Sequence, residues 1–351
     1  MLSRFSLALS WLIVLALSRT ASACNYCFST TVSTPQTLPG ATSSNYVSLG
    51  IDVTVTTLAA GDKVLLTANL NLAAPGGAAF EARFTFYRAS TNVVADRLLT
   101  LKSSDTSSTE QLGATLAYVD TPGPAGTYTY SVLLRGQGVI SKDSQPRQLA
   151  AIVLPAAFSV ATAELTEHFD IVSTTLLTQG IDVTVTPTST ADKVLLLNQA
   201  VWKGASGTAA YLNFKRGGST FTNTLQRMVA GGSVERRRNA LQMHLDAPSL
   251  TTAITYSAWA GKGLSSNADS SLSDPGTRQL VAIVIPSGMQ TIISTSTSAL
   301  TMSASGWTST GLSASVTPTS SADKVGTEER RIRSEGEKDK ERRREGEKDK
   351  E

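Results

Sequence analysis

The chain contains few of the residue types on which catalytic and metal sites depend, with only 2 histidines and 2 cysteines among its 351 residues. Such a supply is too small for the paired Cys and His spacings of a zinc site. Charge is also scarce and balanced, since residues 24–327 hold 19 bases and 18 acids. A nucleic-acid-binding protein carries a clustered basic surface instead. These shortages predict no cofactor, no metal ion and no nucleic-acid partner.

A membrane-spanning segment is also missing from the sequence. The longest apolar run, residues 7–17, falls well short of the ~20 residues that cross a bilayer. Arg4 precedes this run, and the small-residue cleavage signal Ala21-Ser22-Ala23 follows it. That order predicts a secretory signal peptide over residues 1–23, and therefore a secreted or cell-surface protein. A membrane anchor and a lipoprotein with Cys24 as its first residue are the alternatives.

The two cysteines lie beside the predicted cleavage site. Because the secretory route is oxidising, a disulfide between Cys24 and Cys27 is predicted, with pairing to another chain as the alternative. A redox role for this Cys-x-x-Cys would need a thioredoxin-like βαβ unit after it. The residues that follow are rich in Ser and Thr and have the pattern of strands, so we do not expect redox activity.

The centre of the sequence repeats at intervals of 130 to 131 residues. Gly-Ile-Asp-Val-Thr-Val-Thr at 50–56 returns at 180–186 and, in weaker form, at 311–317. Residues 147–155 return in the same way at 278–286. Several such landmarks in one order indicate a duplication. The predicted domains are module 1 (residues 24–155), module 2 (residues 156–286), an incomplete module 3 (residues 287–327) and a charged tail (residues 328–351).

The tail differs from the rest in composition. It holds ten acids and ten bases in 24 residues and has almost no apolar side chains. Such a segment cannot bury enough surface to fold, so it is predicted to be disordered. Module 3 departs from the repeat after Val325, which leads us to expect that a change of reading frame or gene structure has cut it short. Pairing of its strands with an open edge of module 2 or of another chain is the alternative.

Each module has the pattern of β-structure. Apolar residues occupy every second position in residues 51–56, 64–72 and 128–132, as in strands with one buried face. Residues 149–154 and 280–285 are apolar on both faces, which predicts central strands covered on both sides. No window shows a helical stripe. We therefore predict an all-β chain of tandem antiparallel β-sandwich modules, jelly-roll-like, with about eight strands in each.

This order of motifs resembles a known kind of module. A Gly-x-x-Val-Thr-Val-Thr strand leads to a Lys-Val-Leu-Leu strand, an Asp-x-Pro turn, and a closing Arg-Gln-Leu-x-Ala strand. It is similar to β-sandwich modules of bacteriophage tail-fibre-like proteins and of predicted secreted proteins from marine microbes and algae. The resemblance covers roughly residues 45–155 and 175–286. It implies an extracellular structural or adhesive role and carries over no catalytic residue.

No catalytic set can be named from the sequence, so we do not expect an enzyme, and a secreted hydrolase is a remote alternative. The chain has no Gly-x-Ser-x-Gly elbow, and His168 and His244 do not recur between modules. The acids that do recur are expected to be structural, with Asp62 and Asp120 at turns, where an Asp caps its own backbone, and a paired-carboxylate site is one alternative. Calcium binding near Asn267, Asp269 and Asp274 is the alternative for acid-rich loops. The recurring acids are Asp52 and Asp182, Asp62 and Asp192, and Asp120 and Asp246.

Two groups of residues remain as candidate ligand contacts. Trp202 and Trp259, in predicted strands of module 2, would stack on sugars if an exposed face carried them. Arg236, Arg237 and Arg238 form a run that we expect in a solvated loop, with contact to an acidic polymer as the functional alternative. Other contact loops are expected at residues 75–77, 103–109, 204–207 and 231–238.

The sequence therefore predicts a secreted or cell-surface structural, adhesive protein. Its modules would present loops and strand faces for weak multivalent contacts with an extracellular polymer, glycan or protein. A carbohydrate-binding protein that uses exposed aromatic residues is the alternative. Homo-oligomer formation is compatible with this reading, although nothing in the sequence counts subunits.

Overall fold

A computed structural model describes most of the repeat region. The described residues are 27–32, 36–37, 46–74, 80–89, 92–93, 99–103, 110–137, 141–142, 147–205, 208–221, 224–229, 236–263, 270–272 and 277–287. The predicted signal peptide, Cys24, the predicted module 3 beyond Ser287 and the charged tail lie outside them. The described residues up to Pro286 belong to one compact unit. None of them forms a helix that could cross a membrane.

The described part of the chain is all β-strand, turn and loop. We call β1–β11 the N-terminal lobe and β12–β22 the C-terminal lobe. The strands are β1 (Cys27–Val32), β2 (Gln36–Thr37), β3 (Val47–Thr57), β4 (Lys63–Ala74), β5 (Phe80–Arg88), β6 (Asn92–Val93), β7 (Leu99–Ser103), β8 (Glu110–Asp120), β9 (Gly126–Gln137), β10 (Ser141–Lys142), β11 (Arg147–Leu154), β12 (Val160–Leu165), β13 (Phe169–Ile171), β14 (Leu177–Val185), β15 (Lys193–Gly204), β16 (Ala209–Arg216), β17 (Ser219–Thr220), β18 (Gln226–Val229), β19 (Arg236–Asp246), β20 (Ile254–Lys262), β21 (Ser270–Leu272) and β22 (Arg278–Ile285).

The N-terminal lobe is an antiparallel β-sandwich. One sheet has the order β1-β11-β4-β8, with β10 and β2 continuing from β4. The other has the order β3-β9-β5-β7, with β6 beside β5. Alternation along β3 buries Leu49, Ile51, Val53 and Val55 and exposes the residues between them. These side chains pack with Phe84, Phe86 and Leu116 in one continuous core between the sheets.

The C-terminal lobe uses the same strand pairings in the same order. Its sheets are β12-β22-β15-β19 with β21 and β13, and β14-β20-β16 with β17 and β18 beside β16. Its core forms two clusters, one around Leu196 and one around Trp202. Buried Asn198 lies between them, where the N-terminal lobe has Ala68. Each lobe has eleven strands rather than the expected eight, because two- and three-residue strands are too short to show an alternating pattern.

The recurring glycine of the sequence motif marks a bulge. Gly50 and Gly180 have φ of 67° and 75°, a left-handed conformation that costs little only for glycine. At these points the register shifts between Ser48 and Asp52 in β3 and between Thr178 and Asp182 in β14. A side-chain hydroxyl accepts the glycine N–H in each case. The bulge turns the strand so that its second half keeps apolar residues toward the core.

The recurring acids Asp120 and Asp246 tie the two sheets of each lobe together. In the N-terminal lobe, Arg88 on β5 and Tyr130 on β9 both donate to Asp120 Oδ2 at the end of β8, at 2.6 and 2.7 Å. Arg216, Tyr256 and Asp246 repeat the arrangement in the C-terminal lobe, with the tyrosine bond again at 2.7 Å. Burial and the adjacent carboxylate raise the pKa of both tyrosines well above its ordinary value. We call each trio an Arg–Asp–Tyr clamp.

Of the other two recurring acid pairs, Asp62 and Asp192 cap turns, as the sequence predicts, whereas Asp52 and Asp182 are exposed on β3 and β14. Asp62 Oδ2 accepts the N–H groups of Leu58 and Ala59, and its Oδ1 accepts the N–H of Ala156 after β11, at 2.9 Å. Asp192 accepts the N–H groups of Thr188 and Ser189 in the same way. Burial alone would raise the pKa of Asp62, but these backbone donors outweigh it and hold the pKa below its ordinary value.

The two closing strands differ in burial although their sequences have the same pattern. β22 is buried on both faces, as predicted, whereas every second residue of β11 is only half-buried on its outer face. The reason is the other lobe. β8 of the N-terminal lobe lies against β15 and β19 and bonds Gln279 of β22, while the described residues place nothing equivalent on β4 and β11.

Amide side chains form the joint between the lobes. Gln199 Oε1 accepts the N–H of Ala117, at 3.3 Å, and Gln279 Oε1 accepts the N–H of Val119, at 3.1 Å. Tyr118 donates its hydroxyl to Glu164, and Lys63 Nζ donates to the carbonyl of Val160. Val201 of β15 also packs into the core of the N-terminal lobe. The joint is therefore both polar and apolar, and both glutamines are buried.

Replacing Tyr130 by Phe should destabilise the chain by about 1–3 kcal/mol, because it leaves a buried carboxylate with one donor fewer. Urea unfolding followed by circular dichroism measures this difference. Tyr128→Phe is the matched control, since the Tyr128 hydroxyl makes an exposed hydrogen bond to Pro124, and it should cost less than about 0.5 kcal/mol. Equal costs for the two variants would contradict the clamp.

Asp62 should make stability depend on pH in acid. Because its folded pKa is lowered, its contribution is present above the unfolded value of about 3.9 and is lost as pH falls through the folded pKa. The wild-type chain should therefore be more stable than Asp62→Asn at pH 6, and the gap should narrow between about pH 4 and pH 2. Urea unfolding of both chains across this range measures the gap, and a gap that does not change with pH would contradict the assignment.

Candidate functional site

Trp202 and Trp259, which have the same predicted role, differ in burial. Both lie in strands, as predicted, Trp202 in β15 and Trp259 in β20. Trp202 has no exposed surface and fills the core beside Ala210 and Leu272. Gly204 leaves room for it, since a Cβ there would lie 2.5 Å from Trp202 Cζ2. The hypothesis that Trp202 stacks on a sugar is therefore wrong.

The arginine run lies in a strand, although the sequence predicts a loop. Arg236, Arg237 and Arg238 begin β19 rather than occupying a loop. Arg236 and Arg237 pair with Ser103 and Lys102 of β7, which joins strands of the two lobes in one sheet. The sequence could not show this, because the pairing partner lies more than a hundred residues away. Of the predicted contact loops, residues 75–77, 104–109, 206–207 and 231–235 lie outside the described residues.

Trp259 lies on the outer face of the β14-β20-β16 sheet. Its neighbours in β20, Ala258 and Ala260, point into the core, so its half-buried ring points outward. Across the sheet, Asn213 of β16 and Thr178 of β14 are its direct partners. Sugar stacking requires an exposed ring, and the Trp259 ring is partly exposed.

Three further side chains share this face, and together with Trp259 we call them the Trp259 patch: Tyr211, Lys215 and Arg227. Lys215 Nζ lies 3.3 Å from the centroid of the Trp259 ring, a cation–π contact. Tyr211 of β16 pairs with Arg227 of β18, which is exposed. The patch therefore combines two aromatic rings with two cations on the outer face of the sheet.

Polar side chains next to Trp259 hold the strands of the patch in place. Buried Asn213 donates to the carbonyl of Phe221, and its Oδ1 accepts the N–H of Phe214 and the hydroxyl of Thr224. Gln179 of β14 donates to the carbonyl of Trp259 itself. These bonds fix the backbone on both sides of the indole, so the patch is preformed. Sequence reasoning identified Trp259 as a candidate, but no signal in the sequence pointed to Lys215 or Arg227.

The N-terminal lobe lacks this constellation. Counting from the clamp residues, Leu133 stands at the position of Trp259 and Tyr87 at that of Lys215. Arg83, at the position of Tyr211, is paired with Glu81 at 2.5 Å. The Trp259 patch is therefore a property of the C-terminal lobe, and Leu133 provides a matched position for comparison.

The histidines have structural surroundings. His244 occupies the strand position of Tyr118, as predicted, and its ring lies 4.6 Å from that of Phe221. Burial lowers the pKa of His244 below its ordinary value, against the opposing effect of Asp246. His168 is exposed and contacts Asp170 at 2.7 Å. Neither histidine lies in a described cluster with a nucleophile.

The described residues contain no group of three or more His, Cys, Asp or Glu side chains that could hold a metal ion. The calcium alternative at Asn267, Asp269 and Asp274 falls outside the described residues. So do Cys24 and, for its side chain, Cys27, whose backbone begins β1. The disulfide and calcium hypotheses therefore stay predictions.

Comparison with known proteins gives only weak structural likenesses. No family model matches the chain, and no curated protein matches it in sequence. PNGF-II has 8% sequence identity and a TM-score of 0.28, over 73% of this chain and 65% of that one, which is less than two thirds of its length. The VP2 subviral particle of infectious bursal disease virus has 10% identity and a TM-score of 0.26, over 78% and 75% of the two chains.

A third likeness is to the N-terminal CBM22-1–CBM22-2 tandem domain of Paenibacillus barcinonensis Xyn10C. It has 10% identity and a TM-score of 0.18, over 76% of this chain and 97% of that one. At these TM-scores the likenesses assign neither a family nor an activity. The resemblance to tail-fibre-like modules has no counterpart among them.

Proposed function

We propose that the protein is a secreted or cell-surface adhesive scaffold with no catalytic activity of its own. The observation that carries this proposal is the joint between the lobes. Gln199 and Gln279 bond the main chain of β8 from a buried position, so the two β-sandwiches hold one orientation. A rigid joint presents the outer faces of both lobes at a fixed spacing, which favours multivalent contact with an extended polymer.

The hydrogen bonds of the recurring acids support the same proposal. Paired carboxylates in a hydrolase would face a cleft, with room for substrate between them. Here Asp120 and Asp246 are bound by arginine and tyrosine, and Asp62 and Asp192 are bound by backbone N–H groups. Their oxygens are used in holding the fold together. The secretory address predicted for residues 1–23 fits a protein that acts outside the cell.

Microbeads coated with the purified chain should be retained under flow on surfaces coated with at least one class of extracellular polymer, and the chain should leave those polymers intact. A panel of acidic polysaccharides, neutral polysaccharides and matrix-type proteins tests retention, and reducing-end and peptide assays test turnover. Turnover that a single substitution abolishes would overturn the proposal. Beads coated with an unrelated β-sandwich of similar charge are the control.

A second candidate function, binding of an acidic glycan, rests on the Trp259 patch. Carbohydrate-binding faces combine an aromatic ring, which covers the apolar face of a sugar, with polar groups at its rim. Lys215 and Arg227 would add attraction for carboxylate or sulfate groups. Because Lys215 already covers Trp259, an arriving sugar would draw the ammonium toward its own acidic group and uncover the ring.

Trp259→Ala should weaken binding to an acidic glycan about tenfold or more, whereas Leu133→Ala, the matched change in the other lobe, should leave it unchanged. Lys215→Met should weaken binding to acidic but not to neutral sugars, and added salt should have the same effect. Glycan-array and titration measurements on the three variants check this. Equal binding by the Trp259→Ala and wild-type chains would exclude the patch as the binding site.

A further inference from the structure

The joint between the lobes contains a strand edge and a receiving face. The edge is β8, and no described strand lies beside its outward N–H groups at Ala117 and Val119. The face is the outer side of β15 and β22, where Gln199 and Gln279 point their amides at that edge. Gln279 Nε2 also donates to the carbonyl of Val119, so one amide meets both main-chain groups of that residue. The glutamines act in place of a neighbouring strand.

The C-terminal lobe has an edge of the same kind. In β19, Met243 pairs with Leu197 and Leu245 with Leu195 of β15. These are the positions that Ala117 and Val119 occupy in β8, where they pair with Thr67 and Leu65 of β4. Their N–H groups therefore point away from β15. On that side of β19, the described strands pair only with Arg236 and Arg237, through β7. β8 packs near β19, but from residue 239 to residue 246 no described strand pairs with this edge.

The N-terminal lobe has a receiving face of the same kind. Gln148 of β11 stands where Gln279 stands in β22, and Asn69 of β4 stands where Gln199 stands in β15. Both are half-buried; Asn69 Oδ1 accepts the hydroxyl of Thr115, at 3.0 Å, whereas no hydrogen bond among the described residues involves the Gln148 side chain. Ala150 and Ile152 beside it are also only half-buried. The face keeps an amide at each of the two positions, although nothing in the described part of the chain uses Gln148.

We infer that this receiving face binds the β19 edge of a second copy of the chain, so that copies join head to tail in the geometry of the joint between the lobes. Each copy has one open edge and one open face, and the contact is heterologous, which gives linear assemblies rather than closed pairs. The chain's own residues 288–327 align with 157–196 and contain no counterpart of Gln199 or Gln279. They therefore lack the receiving amides, which is why we assign the edge to a second copy.

Three variants separate the two surfaces, two at the edge and one at the face. Leu245→Pro removes the outward N–H of the edge without removing a bond to β15, a place where an edge strand tolerates proline. Met243→Lys is a second edge variant that keeps the backbone unchanged and repels a partner strand. Gln148→Lys blocks the face. Thr54→Lys, a change at an exposed strand position in the other sheet, is the control.

Sedimentation velocity of the full chain over a concentration series tests the inference. The wild-type and Thr54→Lys chains should grow in mass with concentration. An edge variant or the Gln148→Lys variant should be a monomer alone, and an equimolar mixture of one edge and one face variant should form a 1:1 dimer and nothing larger. Urea unfolding shows that each variant is folded.

Two results would overturn the inference. One is a wild-type chain that remains a monomer at every concentration, which would also be the result if its own C-terminal residues covered the edge. The other is a Gln148→Lys chain that still dimerises alone, which would indicate pairing of two β19 edges. Neither result bears on adhesion or on the Trp259 patch, because those tests use other residues.

Discussion

The main-chain groups at the edge of β8 are the constraint on which the arrangement of the chain depends. A buried N–H without an acceptor costs about as much free energy as a typical hydrogen bond contributes, or more. Among the described strands of the N-terminal lobe none covers this edge, and the acceptors come from Gln199 and Gln279. Once those amides are engaged, β8 covers β15 and β22, and the outer face of the second lobe becomes interior.

Within each lobe, a second polar interaction has a similar role. Apolar packing between two sheets has no direction and allows them to slide, whereas an Arg–Asp–Tyr clamp joins the end of β8 to β5 and β9 at fixed atoms. The same trio in the C-terminal lobe joins β19 to β16 and β20. The recurrence of Asp120 and Asp246 in the sequence is therefore explained by the relation between the sheets, without a substrate.

The sequence predicts local structure well because its signals are local. Alternation identifies β3 and β14, and the glycines at 50 and 180 mark the bulges within them. The burial of Trp202 could also have been predicted. Its position differs from those of Val194 and Leu196 by an even number, so in a strand it faces the core with them. Trp259 alternates with Ala258 and Ala260 and faces outward by the same rule. Strands of two residues leave no such signal.

The remaining features depend on contacts between distant residues, which no window of sequence contains. β11 and β22 have nearly the same pattern, yet only β22 has another lobe against its outer face. Arg236 lies in a strand because β7 pairs with it, and Lys215 meets Trp259 because β16 pairs with β20. In both lobes an amide marks the outer face at the same two positions, and in one lobe those amides already bind a strand edge. Because the same amides recur on both lobes, the joint inside one chain is a guide to how two chains would bind each other.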